Sequence, residues 1–453
     1  MEINTAIVAG TGKSGISATK LLVNHGVKVY LFDENKDRDI EAIKEKTGDS
    51  ELVQIELGEL GEDALSSSQL MVISPGIPVD APFTDVVRNA GIPIWSEIEL
   101  AYHYGKGKIA AITGTNGKTT TTALVGEIVK AHNAKTIVVG NIGIPYTELC
   151  DTTDDDSDTV AEISSFQLET VIDFHPNVSA ILNLTPDHLN RHYTFENYGN
   201  VKFSITKNQT MDDVTVLNYD DEHTRAMGEK AKDHCHVVYF SRLEKPAGGV
   251  YVEDGDIILD DGDKKINVLA IKDLKLMGAH NVENVLAAVG ISYYMGVPVD
   301  VIRDVATSFK AVAHRIEYVD TIDGVAYYND SKGTNPDAAI KGIQAMVAPT
   351  FLIGGGYDKG SEYDEWIEAF DGKVKWLVLI GQTAQKIADC AKRHGFNSII
   401  FEENLQDAVA YCHENAVDGD AVLLSPACAS WGQFDNYEQR GDMFKEYVRS
   451  YKE

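Results

Sequence analysis

An apolar strand, Ile109-Ala110-Ala111-Ile112-Thr113, runs into Gly114-Thr115-Asn116-Gly117-Lys118-Thr119-Thr120 and then into a helix-forming stretch from Ala123 to Ala131. That order of residue types builds a phosphate cradle. The glycines let several backbone N–H groups face one point, and the helix N-terminus adds partial positive charge. Lys118 can reach the terminal phosphates and Thr119 can ligate Mg²⁺. The Walker pattern places a glycine six residues before the lysine, where this chain has Ile112. The flanking strand and helix supply the context that a short Gly/Lys match lacks, and the expected ligand is ATP or GTP.

Ligands of an open parallel sheet collect beyond the carboxyl ends of its strands. The residues that follow the neighbouring strands form a short set: Asn141 in Gly140-Asn141-Ile142-Gly143, Glu162 with Ser164-Ser165-Phe166-Gln167, and Asp187-His188 after Asn183-Leu184-Thr185-Pro186. A carboxylate and an imidazole beside a triphosphate suit a second Mg²⁺ site, although Mg²⁺ prefers oxygen ligands and keeps several waters. Taken singly, Glu162 suits a helix cap or salt bridge equally well, and His188 a turn hydrogen bond. The run Asp154-Asp155-Asp156-Ser157-Asp158 has no turn glycine to wrap an ion and reads as a solvated loop.

The elements that position these groups are strands alternating with helices. At the start, Thr5 to Ala9 reads as a strand, Gly10-Thr11-Gly12-Lys13-Ser14-Gly15 as a turn, Ser14 to His25 as a helix and Lys28 to Phe32 as a strand ended by Asp33. This is a Gly-x-Gly-x-x-Gly fingerprint with its acidic residue about twenty positions on. The same backbone nest serves any pyrophosphate, so the residues leave NAD and a sugar nucleotide both open. Strands follow at Leu70 to Ser74, Ile92 to Trp95, Thr136 to Val139, Thr159 to Ile163 and Val178 to Leu184. Between Val214 and Leu276 the strands are short, with Asp254-Gly255 and Asp261-Gly262 as hairpin turns. Val325 to Tyr328, Thr350 to Ile353, Lys375 to Ile380, Ser398 to Phe401 and Ala421 to Leu424 complete a third alternating set.

A chain of 453 residues exceeds one ordinary core, and its length suggests about three domains. The expectation is an α/β protein with domains at 1–98 (Rossmann-like), 99–312 (a P-loop ATPase-type parallel sheet with an extra small β-sheet) and 313–453 (Rossmann-like), hinged near 98 and at Ala311 to His314. A formal charge of −30 offers no basic field for nucleic acid or an anionic membrane surface, so an anionic substrate must be held by loops, helix ends, a few lysines and metal. The five cysteines are scattered with no Cys-x-x-Cys pair, which predicts a reduced setting and no metal or redox role. No apolar run approaches the roughly 18 residues of a membrane helix, and a cytoplasmic protein without membrane insertion is expected.

The full motif series is Thr113 to Thr120, Glu162 to Leu168, Asn183 to Leu189, Gly278-Ala279-His280-Asn281-Val282-Glu283-Asn284, His314-Arg315-Ile316-Glu317 and Asn329-Asp330-Ser331-Lys332-Gly333-Thr334-Asn335-Pro336. It resembles that of the Mur ligase superfamily over nearly the whole chain. Leu424 to Ser430 with Glu438-Gln439-Arg440-Gly441-Asp442 most resembles the members that add D-glutamate to a UDP-linked muramoyl-L-alanine in peptidoglycan precursor synthesis.

The resemblance implies a monomeric ATP-dependent amide ligase acting through an acyl phosphate, with UDP-N-acetylmuramoyl-L-alanine and D-glutamate as its small-molecule substrates. It implies that Gly114, Thr115, Asn116, Gly117, Lys118, Thr119 and Thr120 cradle ATP, that Thr119 and Glu162 hold one Mg²⁺, and that Glu162, His188 and Lys202 serve a second. Asn281 and Asn284 would contact adenine, and Arg315 and Asp330 the phosphates and ribose. Lys332, Thr334, Lys359, Ser430 and Tyr437 would hold the D-glutamate carboxylates, whose burial calls for charge and hydrogen bonds. Lys13 and Ser14 would lie near the UDP diphosphate, Asp33 near uridine, and Asn141 and Ser164 near the substrate. Lys202 matches the lysine that these ligases carbamylate with CO₂. With a reference pKa near 10.4, only about one lysine in 2,500 is neutral at pH 7, so the site must favour the neutral amine or trap the product on metal.

Overall fold

The computed structural model describes residues 3–141, 143–276, 278–310 and 313–452. Three sheets organise it. The first contains β1 (Thr5–Ala9), β2 (Lys28–Asp33), β3 (Val53–Leu57), β4 (Leu70–Ile73) and β5 (Ile94–Ser96), all parallel, in the order β3-β2-β1-β4-β5. The inner strands β1 and β4 are apolar runs buried along nearly their whole length, as strands covered on both faces must be. The expected fingerprint is present, with its helix at Lys13–Asn24. Gly15 is required by packing, because a Cβ there would stand 1.8 Å from the Gly10 carbonyl oxygen.

The second sheet contains β6 (Lys108–Thr113), β7 (Ile137–Gly140), β8 (Asp158–Glu162), β9 (Val178–Ile181), β10 (Val214–Asn218), β11 (His236–Ser241), β12 (Gly249–Glu253), β13 (Asp256–Asp260) and β14 (Lys265–Ala270), in the order β14-β13-β12-β11-β10-β9-β6-β8-β7. Because β6 lies between β8 and β9, the segments following all three emerge side by side. The expected small sheet is the antiparallel β12–β14 meander. It is joined to the parallel strands through two residue pairs of β11 and β12, so it extends the main sheet. Its first turn has Asp254 and Gly255 at φ 51° and 87°, the left-handed pair that matches hairpin twist.

The third sheet contains β15 (Glu317–Ile322), β16 (Val325–Asn329), β17 (Thr350–Gly354), β18 (Val374–Leu379), β19 (Ile399–Phe401) and β20 (Ala421–Leu424), in the order β15-β16-β20-β17-β18-β19. All its pairings are parallel except the β15–β16 hairpin. The chain divides into two compact units, Met1–Leu274 with Val282–Ser308, and Lys275–Asn281 with Phe309–Glu453. The expected boundary at 312 and the start of its hinge fall on Ala311 and Val312, outside the described residues.

Within the first unit, helix Glu97–Tyr104 links two sheets and carries two buried carboxylates. Glu97 accepts from the Thr147 backbone N–H at 2.7 Å, the Thr147 hydroxyl at 3.0 Å and Gln167 Nε2 at 3.4 Å. Glu99 accepts from the backbone N–H groups of Ile172, Asp173 and Phe174 at 3.0, 2.7 and 3.0 Å. Burial dominates at Glu97 and raises its pKa despite these bonds. The 154–158 acidic run is a solvated turn, with Lys135 Nζ 2.6 Å from Asp154 and 3.4 Å from Asp156. Among the described residues no helix is long and apolar enough to cross a membrane.

Candidate active site

Strand β6 ends at Thr113 and the chain turns through Gly114 (φ 148°) and Gly117 (φ 84°) into helix Lys118–His132. Both glycines are needed. Their backbone conformations exclude ordinary side chains, and a Cβ on Gly117 would stand 2.3 Å from Asn284 Oδ1. Asn284 is therefore held against the loop, and its Oδ1 also receives the Thr121 hydroxyl at 3.3 Å. The segment after β9 clamps the other side. Asn116 N–H donates to Asn183 Oδ1 at 2.8 Å while Asn183 Nδ2 donates to the Asn116 carbonyl at 3.0 Å. Thr115 Oγ1 donates to the Thr185 carbonyl at 3.1 Å and lies 3.1 Å from the Tyr198 hydroxyl. Thr119 and Thr120 are buried in the first turn of the helix. Lys118 Nζ donates to the carbonyls of Gly114 and Thr115, each at 2.9 Å.

Glu162, the last residue of β8, is 1 % exposed. Its Oε1 accepts from Asn141 Nδ2 at 2.9 Å, whereas Oε2 is buried with no hydrogen-bond partner. A buried carboxylate oxygen left unmatched is costly, and a hard cation would satisfy it. Gly140 makes the approach possible, since a Cβ there would stand 2.2 Å from the Glu162 carbonyl oxygen. Ser164 caps the short helix Ser165–Leu168 in a capping box with Gln167. His188 holds a left-handed φ of 53°, lies 3.5 Å from Asp187 and meets the Phe166 ring edge to face at 4.8 Å.

Lys202 comes from helix Phe195–Phe203 and is 2 % exposed. Its Nζ donates to the Gly114 carbonyl at 2.9 Å and lies 4.8 Å from the centre of the Tyr198 ring. Burial, followed by the charge of Lys118, holds its pKa well below the ordinary lysine value, against the opposing pull of Asp187 and Glu162. A buried, easily neutralised amine beside a phosphate loop fits a lysine that must react as the free base.

Near Lys202, His192 is 1 % exposed, with Nε2 2.9 Å from Ser165 Oγ and Nδ1 3.5 Å from Glu169. Glu169 pairs with Arg191 at 2.5 Å, and Arg191 donates to the Ile77 carbonyl at 2.8 Å, tying this loop to the segment after β4. Asn183, Tyr198, Arg191 and His192 had no role in the sequence reading. Asn183 alone carried a usable signal, its place just past the end of β9.

In the N-terminal turn, Asp33 spends its carboxylate on structure. Oδ2 accepts from Thr11 N–H at 3.1 Å and Thr11 Oγ1 at 2.6 Å, and Oδ1 from Asn35 N–H at 3.1 Å. Burial is the largest influence and acts to raise its pKa, but these bonds and Arg38 outweigh it and the net shift is downward. Lys13 donates to the Gly143 carbonyl, and Ser14 sits half-buried in the first helical turn. A cavity of about 590 Å³ opens beside this helix, lined in part by Thr11, Lys13, Lys20, Lys46 and Thr147.

The second unit carries the remaining candidates. Asp330 follows β16, is 2 % exposed and accepts from Ser425 Oγ at 2.7 Å and Ile316 N–H at 3.3 Å. Burial lifts its pKa to about 6, with Arg315 opposing. Lys332 Nζ lies 5.7 Å from the centre of the Tyr437 ring, so that ring faces a lysine, while the Tyr437 carbonyl accepts from Ser331 at 2.8 Å. Thr334 N–H donates to the Lys332 carbonyl at 2.8 Å. Lys359 lies 4.8 Å from the Trp431 ring centre, next to buried Ser430. Asn281 is buried near the start of helix Ala279–Tyr294, its N–H donating to the Gly278 carbonyl at 3.0 Å. Arg440, also unassigned from sequence, is 1 % exposed and donates to Ser331 Oγ at 2.9 Å, the Ser331 carbonyl at 2.8 Å and the Cys428 carbonyl at 3.2 Å.

The chain matches three family domains: "Mur ligase MurD-like, N-terminal domain" over residues 4–96, "Mur ligase middle domain" over 112–292, and "Mur ligase, glutamate ligase domain" over 314–428. It is 56% identical over 450 residues to the UDP-N-acetylmuramoylalanine--D-glutamate ligase of Lachnospira eligens, covering 99% of both chains. It is 46% identical to the enzyme of the same name from Clostridioides difficile, covering 98% of both. Among solved structures it resembles the UDP-N-acetylmuramate-alanine ligase of Thermotoga maritima (TM-score 0.60, 19% identity, 99% and 100% covered). It also resembles MurF from Acinetobacter baumannii (TM-score 0.61, 17% identity, 97% and 93% covered) and the MurF ligase of Thermotoga maritima in complex with ADP (TM-score 0.59, 16% identity, 98% and 95% covered). The structures agree in fold, the curated relatives agree in sequence from end to end, and the chain belongs to the Mur ligase family.

Proposed function

We propose that this chain joins D-glutamate to UDP-N-acetylmuramoyl-L-alanine at the expense of ATP, acting as a monomer in the cytoplasm. The observation that carries the reading is full-length identity of 56% to a relative bearing that activity in its name. UDP-substrate binding is assigned to residues 1–98, ATP to 99–312 and the amino acid to 313–453.

In the reaction, an oxygen of the alanyl carboxylate attacks the γ-phosphorus of ATP and ADP leaves. The D-glutamate amine then attacks the carbonyl carbon of the acyl phosphate, loses a proton, and orthophosphate departs as the amide forms. The chain's task is to bring several anions together. Lys118 leaves its loop carbonyls for the transferred phosphoryl group, the backbone N–H groups of Gly114 to Thr120 cradle the neighbouring phosphates, and Asn284, joined by Asn281, supports the nucleotide. Arg315 and Asp330 are further nucleotide contacts by family likeness.

Thr119 and Glu162 would hold one Mg²⁺, and Glu162, His188 and a carbamylated Lys202 a second; the unmatched Glu162 Oε2 supports this donor set. When bound, Mg²⁺ neutralises phosphate charge and polarises the acceptor oxygen. Carbamylation starts from the neutral amine: an ammonium form first gives up one proton, Lys202 Nζ then bonds to the carbon of CO₂ with loss of a second, and the buried amine becomes an anionic oxygen donor. Asn141 orients Glu162, and Ser164 faces the substrate. Lys13 and Ser14 serve the diphosphate and Asp33 the uridine end, through the turn it braces. Lys332, Thr334, Lys359, Ser430 and Tyr437 receive the two carboxylates of D-glutamate.

The test is ADP and phosphate release with Mg²⁺, bicarbonate and both acceptors, read together with product mass. Release must require both the UDP precursor and D-glutamate. Hydrolysis that ignores the amino acid, or a product carrying another residue, refutes the assignment.

A further inference from the structure

Asp364, Cys390 and His394 bring a carboxylate oxygen, a thiol sulfur and an imidazole nitrogen within 4.8 Å of one another on the second unit. Their meeting follows from helix geometry. Asp364 begins helix Asp364–Glu368, and Cys390 lies in helix Ala384–Arg393 with His394 as its C-cap, so Cys390 and His394 are one turn apart on one face. Cys390 is 2 % exposed, whereas the side chains of Asp364 and His394 are 45% and 25% exposed, which leaves the group open to an arriving ion.

His394 Nε2 lies 2.8 Å from Asp364 Oδ1, while Nδ1 lies 3.7 Å from Oε1 of Glu368, one turn along from Asp364. One imidazole nitrogen faces the ligand cluster, and the other lies 3.7 Å from a mobile, exposed carboxylate that need move by less than an ångström to become the outer hydrogen-bond partner typical of metal-binding histidines. The second such trio among the described residues, Glu99, His103 and Asp173, differs. The Glu99 oxygens are already committed to three backbone N–H groups.

We propose that Asp364, Cys390 and His394 bind a borderline-soft divalent cation of the Zn²⁺ type, with water as the fourth ligand and Glu368 as a positioning residue. The donor set of one thiolate, one imidazole and one carboxylate selects such an ion over Mg²⁺ or Ca²⁺. Tetrahedral metal–ligand distances of about 2.0–2.3 Å set the donor atoms roughly 3.5 Å apart, so the His394–Asp364 pair opens from its 2.8 Å contact while the wider separations close, within reach of two partly exposed side chains. As the metal–sulfur bond forms, the thiol proton leaves to solvent. The ion displaces Arg393, whose 3.4 Å contact with Asp364 is an exposed pair of little worth. The site staples helix Asp364–Glu368 to helix Ala384–Arg393 and is independent of the ligase reading.

The experiment is a Co²⁺ titration of the full chain after removal of metal with a chelator. One equivalent should produce a thiolate-to-cobalt charge-transfer absorption that Zn²⁺ abolishes. Cys390→Ser should lose the absorption, and Glu368→Gln should weaken Co²⁺ binding about tenfold or more. Co²⁺ on the oxygen donors near the phosphate loop gives no such absorption, so the result stands or falls apart from turnover. No absorption in the wild-type chain overturns the proposal, as does absorption that survives Cys390→Ser. Should that variant not fold, His394→Gln decides: affinity at least tenfold weaker supports the site, and unchanged affinity refutes it.

Discussion

Lys118 and Lys202 aim their ammonium groups at one oxygen, each Nζ lying 2.9 Å from the Gly114 carbonyl. Two cations on one acceptor oppose each other. Of the two, Lys202 is the more deeply buried, and it is the one whose charged form is disfavoured. The charge of Lys118 thus favours the neutral form of Lys202, the form that the proposed reaction with CO₂ requires. Lys202→Ala should abolish turnover, and short-chain carboxylic acids should restore part of it by supplying the missing oxygens. Intact mass of the wild-type chain should show the added carboxyl. A fully active Lys202→Ala would remove the residue from the mechanism.

Lys118→Ala and Glu162→Ala should each lower kcat on the order of 10³-fold or more, the scale of losing a group that stabilises developing charge. Calorimetric affinity for the UDP precursor should stay within about twofold, because neither residue contacts it in this assignment. Wild-type rates would rule out both roles.

Gly140→Ala tests the support beneath Glu162. The residue holds φ 114°, and a Cβ would press on the Glu162 carbonyl oxygen. The expected cost is about 1–3 kcal/mol of stability, and because the carboxylate is pushed aside, kcat should fall roughly 100-fold. Thermal unfolding and steady-state rates check the two halves separately.

His192 gives stability a pH dependence of known sign. Burial chiefly, aided by the positive charge of Arg191, His188 and Lys202 and opposed by Asp187, lowers its pKa from 6.5 to about 4. Below pH 6.5 the unfolded chain takes up a proton that the folded chain refuses. The contribution is therefore complete above pH 6.5 and lost as pH falls toward 4. Between pH 7.5 and 5 it amounts to about 2 kcal/mol. Urea unfolding at the two pH values should show this difference shrinking in His192→Gln; an unchanged difference would refute the assignment.

Arg440 should resist its conventional replacement. Its planar fork serves Ser331 and Cys428 together, which a lysine point charge cannot do. Arg440→Lys should cost about 1–3 kcal/mol through unmatched buried carbonyls. It should also raise KM for D-glutamate more than KM for ATP, and equal changes in both would argue against a role in shaping the amino-acid pocket.

The strand–glycine turn–helix of residues 108–132 was legible in the sequence because glycines between an apolar strand and a helix-forming stretch leave little alternative, and the first fingerprint was legible for the same reason. Strand β15 was not read, although Asp323-Gly324 is the turn that pairs it with β16 and both residues are left-handed, at φ 49° and 79°. Its half-buried residues lack the apolar run that marked β1 and β6. Asn116 and Asn183 stand 67 residues apart, and only the strand order places them face to face. The scattered cysteines gave no metal signal in the sequence; the proposed trio joins Cys390 to His394, four positions on. Asp364, 26 positions earlier than Cys390, could be added only once helix packing was known.

The paired carboxylates of helix Glu97–Tyr104 set a rule for building chimeras. A crossover after residue 98 would leave Glu97 with one parent and Glu99 with the other, each required to find its donors in a foreign backbone. Transplants between homologues should instead carry that helix together with Thr147, Gln167 and the 172–174 turn, which makes the smallest exchangeable module considerably larger than the first sheet.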